Sequence, residues 1–207
     1  MTELPYDAPT LAAIVAAFNQ TWWFAVLAGL AASAWIVRAM LNGATLTRHA
    51  CFAVAGMSLV VAGPYLMGSL APLDFMAPVY AGLWLLNALI FVILGARGGI
   101  AFAMPSDRAW PILVSLAIAA LYPVAFWIET EPTRGGLALP GSYPDATAIL
   151  ILALLTATRK RAPVVAVTVP VVWAGIAAFN GYLLGLFTPM LVAVALIVSA
   201  YGVISRR

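Results

Sequence analysis

Ser142-Tyr143-Pro144-Asp145 opens the fifth apolar stretch of the chain with the spacing of a capping box. In that arrangement Ser142 caps a helix and Asp145 accepts one of its free N-terminal amides. A carboxylate at the positive end of a short helix also has a second chemistry. Interrupted helices in transporters aim such ends into a cleft, and Asp145 there would coordinate a cation or a proton.

Three more acids stand near the same side of the chain's apolar stretches: Asp74, Glu129 and Glu131. As loop charges they need only water. Converging with Asp145, they would form a mouth of hard oxygen ligands of the kind that holds a divalent cation. Asn87 lies well inside an apolar stretch, where hydrocarbon obliges a carboxamide to bond a neighbouring helix or a substrate. Pro64-Tyr65 and Tyr122-Pro123 sit near the ends of two such stretches. Kinks at these prolines would open a vestibule walled by Tyr65, although prolines are tolerated in membrane helices and tyrosines favour interfaces without any such role. The candidate contacts for a ligand are therefore Asp145, Glu129, Asn87, Tyr65, Ser142 and Asp74.

The residue inventory also excludes chemistry. His49 is the sole histidine and Cys51 the sole cysteine, so a histidine or cysteine metal cluster, a disulfide and a Ser-His-Asp arrangement lack their parts. No catalytic residue, metal or cofactor is expected. The ten Lys and Arg residues are scattered at the ends of apolar stretches rather than gathered on one face, which argues against a nucleic-acid partner. Membrane lipid is the expected partner, with a partner membrane protein or a small solute beside it.

The elements that must position these residues follow from composition. Charged residues make up 8% of the chain and hydrophobic ones 65%, with a mean hydropathy of +1.06; a soluble domain carries roughly 25% charged residues. The sequence predicts an all-alpha, polytopic integral membrane helix bundle over residues 1–207. The apolar runs are continuous rather than alternating, which excludes a membrane β-barrel. An interfacial helix over 8–19 is followed by a break near Asn19-Gln20. Spans are expected over 22–41, 49–67, 79–94, 110–128, 145–158, 162–179 and 183–204, with a turn at Asn180-Gly181 and Pro189 inside the last. Residues 129–144 form a long outer loop or a re-entrant segment, and the span that follows them is too short to cross about 30 Å of hydrocarbon unaided.

Seven transmembrane helices place nine of the ten Lys and Arg residues on one side, leaving Arg134 on the other. By the positive-inside rule the N-terminus is outside and the C-terminus cytoplasmic. The run Arg159-Lys160-Arg161 decides the count, because fusing the two stretches around it would bury three cations. The first ten residues carry Glu3 and Asp7 and no cation, unlike an export signal, so the first span is expected to remain. Lys160, the sole lysine, lies in a loop, which removes a retinal Schiff base from consideration.

Four stretches carry a resemblance that extends over most of the chain: Ala16 to Trp23 (AAFNQTWW), the region Ala71 to Gly95, the run Gly141 to Leu155 and the Arg159 to Trp173 hairpin. In these the chain resembles a family of uncharacterised bacterial multi-span membrane proteins, often loosely labelled transporter permeases. The resemblance implies a place in the bacterial inner (cytoplasmic) membrane and carries no established activity. Similar proteins have a Tyr-His pair where Tyr65 here precedes Leu66, and a Pro-Cys-Pro-Thr-Thr run where Pro144 precedes Asp145-Ala146-Thr147; any chemistry of that histidine and cysteine is missing. The expected function is an accessory or binding role toward a lipid or a partner membrane protein. The alternative is a permease-like transporter of a small solute or cation that uses an outer cleft around Asp145 and Glu129.

Overall fold

A computed structural model describes residues 4–104, 109–130, 136–158 and 162–204, and they form an all-α membrane helix bundle. Arg159-Lys160-Arg161, Arg108, Arg134, Arg206-Arg207, Glu3, Asp107 and Glu131 lie outside the described residues.

Helix α1 spans Ala8–Thr21. Asp7 starts it by accepting the Thr10 amide at 2.9 Å, and Pro9 fits the first turn, where no amide is needed. Its buried residues include Leu11, Val15 and Phe18, and they pack on the second and third helices. The break falls at Trp22, three residues after the expected Asn19.

Among the described residues, five helices are long and apolar enough to cross a membrane: α2 (Trp23–Leu41), α3 (Arg48–Val60, continuing as a π-helix through Leu70), α4 (Ala77–Arg97), α5 (Ala109–Glu129) and α7 (Val164–Leu184). Leu27, Leu89, Leu121 and Val164 are among their many exposed large apolar residues. In water such a surface would drive aggregation; against lipid tails it costs nothing. The π-helix over Val61–Leu70 contains Pro64. Proline has no amide to donate and clashes with the carbonyl four residues back. The chain widens, so that the Ala71 amide reaches the Leu66 carbonyl five residues earlier at 2.8 Å. The expected kink is therefore a change of helical register, which turns Tyr65 and Leu66 inward.

Helix α6 (Pro144–Thr156) has every residue buried. It is apolar all round, as a helix at the centre of a bundle must be, and it packs on α3, α5, α7 and α8 (Met190–Ile204). At thirteen residues it covers about 20 Å. Residues 136–143 complete its path as non-helical backbone packed against α1 and α2. A Cβ on Gly136 would lie 2.6 Å from the Ala16 nitrogen, and one on Gly141 would lie 2.7 Å from the Gly29 Cα. Where the sequence predicts a long outer loop or a re-entrant segment, residues 136–143 pack into the protein, with Ala138 buried and Leu137 exposed.

The last two helices differ from expectation at their shared turn. Helix α7 runs through Asn180-Gly181 to Leu184 and stops at Gly185, whose φ of 67° is left-handed. Asn-Gly is a turn signal in isolation, but Gly181 serves here as a contact: a Cβ on it would meet the Pro189 Cβ at 2.9 Å. Residues Leu183 and Leu184 therefore belong to α7, and Pro189 precedes α8 instead of lying within it.

At one end of the bundle, three connecting segments join by backbone pairing. Leu46, after α2, exchanges two hydrogen bonds with Phe102, after α4, and the Ala103 amide donates to Ala157 at the end of α6. Arg48 adds a bond from its Nε to the Gly95 carbonyl at 3.4 Å, a second donor to a carbonyl at the end of α4 that also takes the Gly98 amide.

Candidate functional site

The first turn of α6 is assembled by Thr147 rather than by Ser142. Gly141 has a φ of 87°, a left-handed turn open to glycine. Its amide donates to Thr147 Oγ1 at 2.8 Å, and that hydroxyl donates onward to the Tyr143 carbonyl at 2.6 Å. Ser142 donates backwards, to the Leu139 carbonyl at 3.1 Å. The residue at the cap is Tyr143, whose side chain takes no part in capping. The expected capping box therefore does not form, because Thr147 already holds the turn and Asp145 has stronger partners.

Those partners come from two other helices. Tyr122 on α5 donates its hydroxyl to Asp145 Oδ2 at 2.6 Å, and Trp173 on α7 donates its indole N–H to Asp145 Oδ1 at 2.8 Å. Asp145 retains 4% exposure. Both donors are wedged by rings: Tyr122 stacks on Phe126, and Trp173 meets Tyr80 and Trp84 edge to face. Hydrogen bonds to a charged acceptor in such surroundings are strong and fix its orientation.

Asp145 borders a cavity of about 40 Å³ whose wall also includes Tyr6, Tyr65, Tyr80, Tyr143, Trp173 and Asn180. One water needs roughly 10–15 Å³ on this scale, whereas pockets for metabolites run to about 300–1,000 Å³. The space suits a few waters or a small ion. Phenol oxygens both donate and accept, so the lining can complete the shell of a proton carrier or a cation beside the carboxylate.

Tyr65 is at this wall because the π-helix turns it in; it lies edge-on to Phe18 and Tyr143, each at 5.3 Å between ring centres. Asp74 is nearly fully buried and does not border the cavity. Its Oδ1 accepts the Met76 amide at 2.8 Å, bracing the start of α4, and its Oδ2 receives the Tyr6 hydroxyl at 3.5 Å. Burial first, and the Asp74 charge second, push the Tyr6 phenol well above its ordinary pKa. Asp74 thus ties the N-terminal segment to the cavity's edge through Tyr6.

Glu129 does not line the cavity either. Its carboxylate accepts the Phe187 amide, the Thr188 amide (2.8 Å) and the Thr188 hydroxyl. It caps the turn before α8 from the end of α5, and that turn carries Pro189 to the cavity wall. Asn87 is fully buried away from the cavity and donates to Ser58 Oγ at 2.8 Å, and Ser58 donates to the Val54 carbonyl. It joins α4 to α3, the helix-to-helix role. Among the described residues no three His, Cys, Asp or Glu side chains gather to hold a metal ion, so Asp74, Glu129 and Asp145 do not converge into the divalent-cation mouth; Glu131 lies outside the described residues.

Sequence reasoning passed over Trp173, Tyr122, Tyr6, Tyr80, Tyr143 and Asn180 as site residues. One signal was present: Tyr and Trp buried deep in a span need a partner for their polar tips, and Asp145 is the acceptor within reach of two of them. No protein-family model, curated protein or solved structure matches the chain.

Proposed function

We propose that the chain is an accessory membrane protein that binds a proton or a small monovalent cation at Asp145. The observation that carries this reading is a single buried carboxylate, held by Tyr122 and Trp173, at the wall of a cavity of water-like size. One carboxylate with neutral oxygens around it suits one positive charge; calcium sites commonly add further carboxylates.

The reading includes seven membrane crossings, with α6 and α8 as the short fifth and seventh, the N-terminus outside and the C-terminus cytoplasmic. The pairing of Leu46, Phe102 and Ala157 segments supports it, since the connections after the first, third and fifth crossings then share the side that holds most cations. The resemblance to loosely labelled bacterial permeases gives the same setting, the bacterial inner membrane.

A permease-like role for the same ligand is the second reading. It is favoured by α6, a helix of partial length that follows a non-helical segment packed into the protein, as the interrupted helices of transporters do.

The test is calorimetric titration of the purified protein with sodium, potassium and ammonium salts, paired with flux in liposomes. Saturable binding that Asp145→Asn removes is expected. Absence of binding to all three, together with no proton uptake linked to Asp145, overturns the proposal; flux lost in Asp145→Asn would favour the permease reading.

A further inference from the structure

Sharing no lining residue with the Asp145 cavity, α2 and α5 turn matching faces toward each other without closing on one another. Leu30, Ser33, Ala34 and Val37 lie on one stripe of α2, and Leu116, Ala119, Ala120 and Pro123 on one stripe of α5. Both have the spacing i, i+3, i+4, i+7 of a packing face. The small residues in each would let two membrane helices approach closely. Instead α2 packs on α1 and α3, and α5 packs on α6 and α8. Leu139-Pro140 enters at one end of the gap, braced by the Gly29–Gly141 contact, and Leu150 of α6 forms the floor.

The result is a crevice of about 310 Å³. Ser33 offers a guest no donor, since its hydroxyl donates to the Gly29 carbonyl at 2.7 Å and lies 3.4 Å from the Met57 sulfur. Leu30, Ala34 and Ala120 are exposed at the opening, which makes the crevice continuous with the lipid-facing surface of both helices. Each wall runs about 10 Å, a fraction of the hydrocarbon depth of about 30 Å. Arg38 is exposed one turn beyond Ala34 on the same face of α2, where a cation meets headgroups.

We infer that this crevice is a binding site for an anionic phospholipid, with part of one acyl chain between α2 and α5 and the phosphate at Arg38. The shape and apolar lining select a hydrocarbon chain, and the guanidinium selects a negative headgroup. The site is independent of ligand binding at Asp145.

The probe is phosphatidylglycerol carrying a photoactivatable group in its acyl chain, diluted into phosphatidylcholine vesicles that contain the full chain. Peptides bearing Leu30–Val37 and Leu116–Pro123 should be labelled about tenfold above the lipid-facing stretch Leu85–Leu89 of α4. Ala120→Phe, which fills the crevice from its open side, should remove that excess. Leu121→Phe, one residue away on the exposed surface, should leave it intact. Arg38→Gln should lower labelling by phosphatidylglycerol and not by the same probe with a choline headgroup. Even labelling of all lipid-facing helices in the unsubstituted protein overturns the inference without need of any variant. So does an excess that survives Ala120→Phe, or a cross-link between two copies of the chain at this face.

Discussion

Tyr122 on α5 donates its hydroxyl hydrogen to Asp145 on α6 across 2.6 Å, with both residues buried. One carboxylate therefore does two things: it joins α5 and α7 to the central helix, and it supplies the charge at the cavity wall. The two roles separate under substitution.

Asp145→Leu leaves the Tyr122 hydroxyl and the Trp173 N–H without an acceptor, at a cost of about 1–3 kcal/mol for each stranded buried donor. Asp145→Asn keeps an acceptor oxygen and should be the milder change, by about 1 kcal/mol or more. Chemical denaturation in detergent micelles should rank wild type above Asn and Asn above Leu, while cation or proton binding is lost in both. Equal stability of the Asn and Leu forms would contradict the geometry.

Gly29 and Gly141 bring the backbones of α2 and the buried segment into close contact. A methyl group on Gly29 would meet the Gly141 carbonyl oxygen at 2.9 Å, and one on Gly141 would meet the Gly29 Cα at 2.7 Å, with a φ of 87° added. Overpacking costs about 1–3 kcal/mol, and a left-handed non-glycine residue about 1–2 more. Gly141→Ala should therefore destabilise more than Gly29→Ala. Gly175→Ala, with nothing within 4 Å, should be neutral or stabilising by up to about 1 kcal/mol. Unfolding midpoints of the three variants decide the order.

The long helices were legible because hydrophobic length and charge spacing are local properties; α2, α4 and α5 begin and end within a few residues of expectation. The start of α8 was not, because Gly181 looks like a turn and is a packing contact, and Glu129 caps a helix from another part of the chain. Asp145 was legible as a polar residue at a helix start. Its partners were not, since Tyr122 and Trp173 lie 23 and 28 residues away, and no spacing rule links residues on three helices. The Ser142 capping box failed for the same reason: a local signal yielded to bonds formed by tertiary packing.

Tyr6 sets a pH limit on the N-terminal anchor. Burial and Asp74 raise its phenol above the ordinary value, so the folded protein holds that proton more tightly than the unfolded chain, whose tyrosine titrates near pH 10. The contribution is complete below about pH 10 and is lost as pH rises toward the folded value. Thermal unfolding of wild type and Tyr6→Phe from about pH 8 to about pH 11 should show the wild type losing its relative advantage only at the alkaline end. A difference that is constant across the range would remove Tyr6 ionisation from the account.

Glu129 separates the two versions of the candidate site. Its carboxylate takes two amides and a hydroxyl at the turn before α8, so Glu129→Ala should cost about 0.5–2 kcal/mol, the range of a lost helix cap. Glu129→Gln keeps one acceptor oxygen but turns an N–H toward a donor, and should recover part of that loss at most. Neither change reaches the cavity wall, because Glu129 acts on Phe187 and Thr188 and only Pro189 beyond them lines it. Cation or proton binding at Asp145 should then persist in both variants, with an affinity within about threefold of wild type, or under 1 kcal/mol. Binding abolished in Glu129→Gln while the unfolding midpoint stays near wild type would mean that Glu129 meets the ligand directly. The site would in that case be the wider cleft around Asp145 and Glu129 rather than the small cavity.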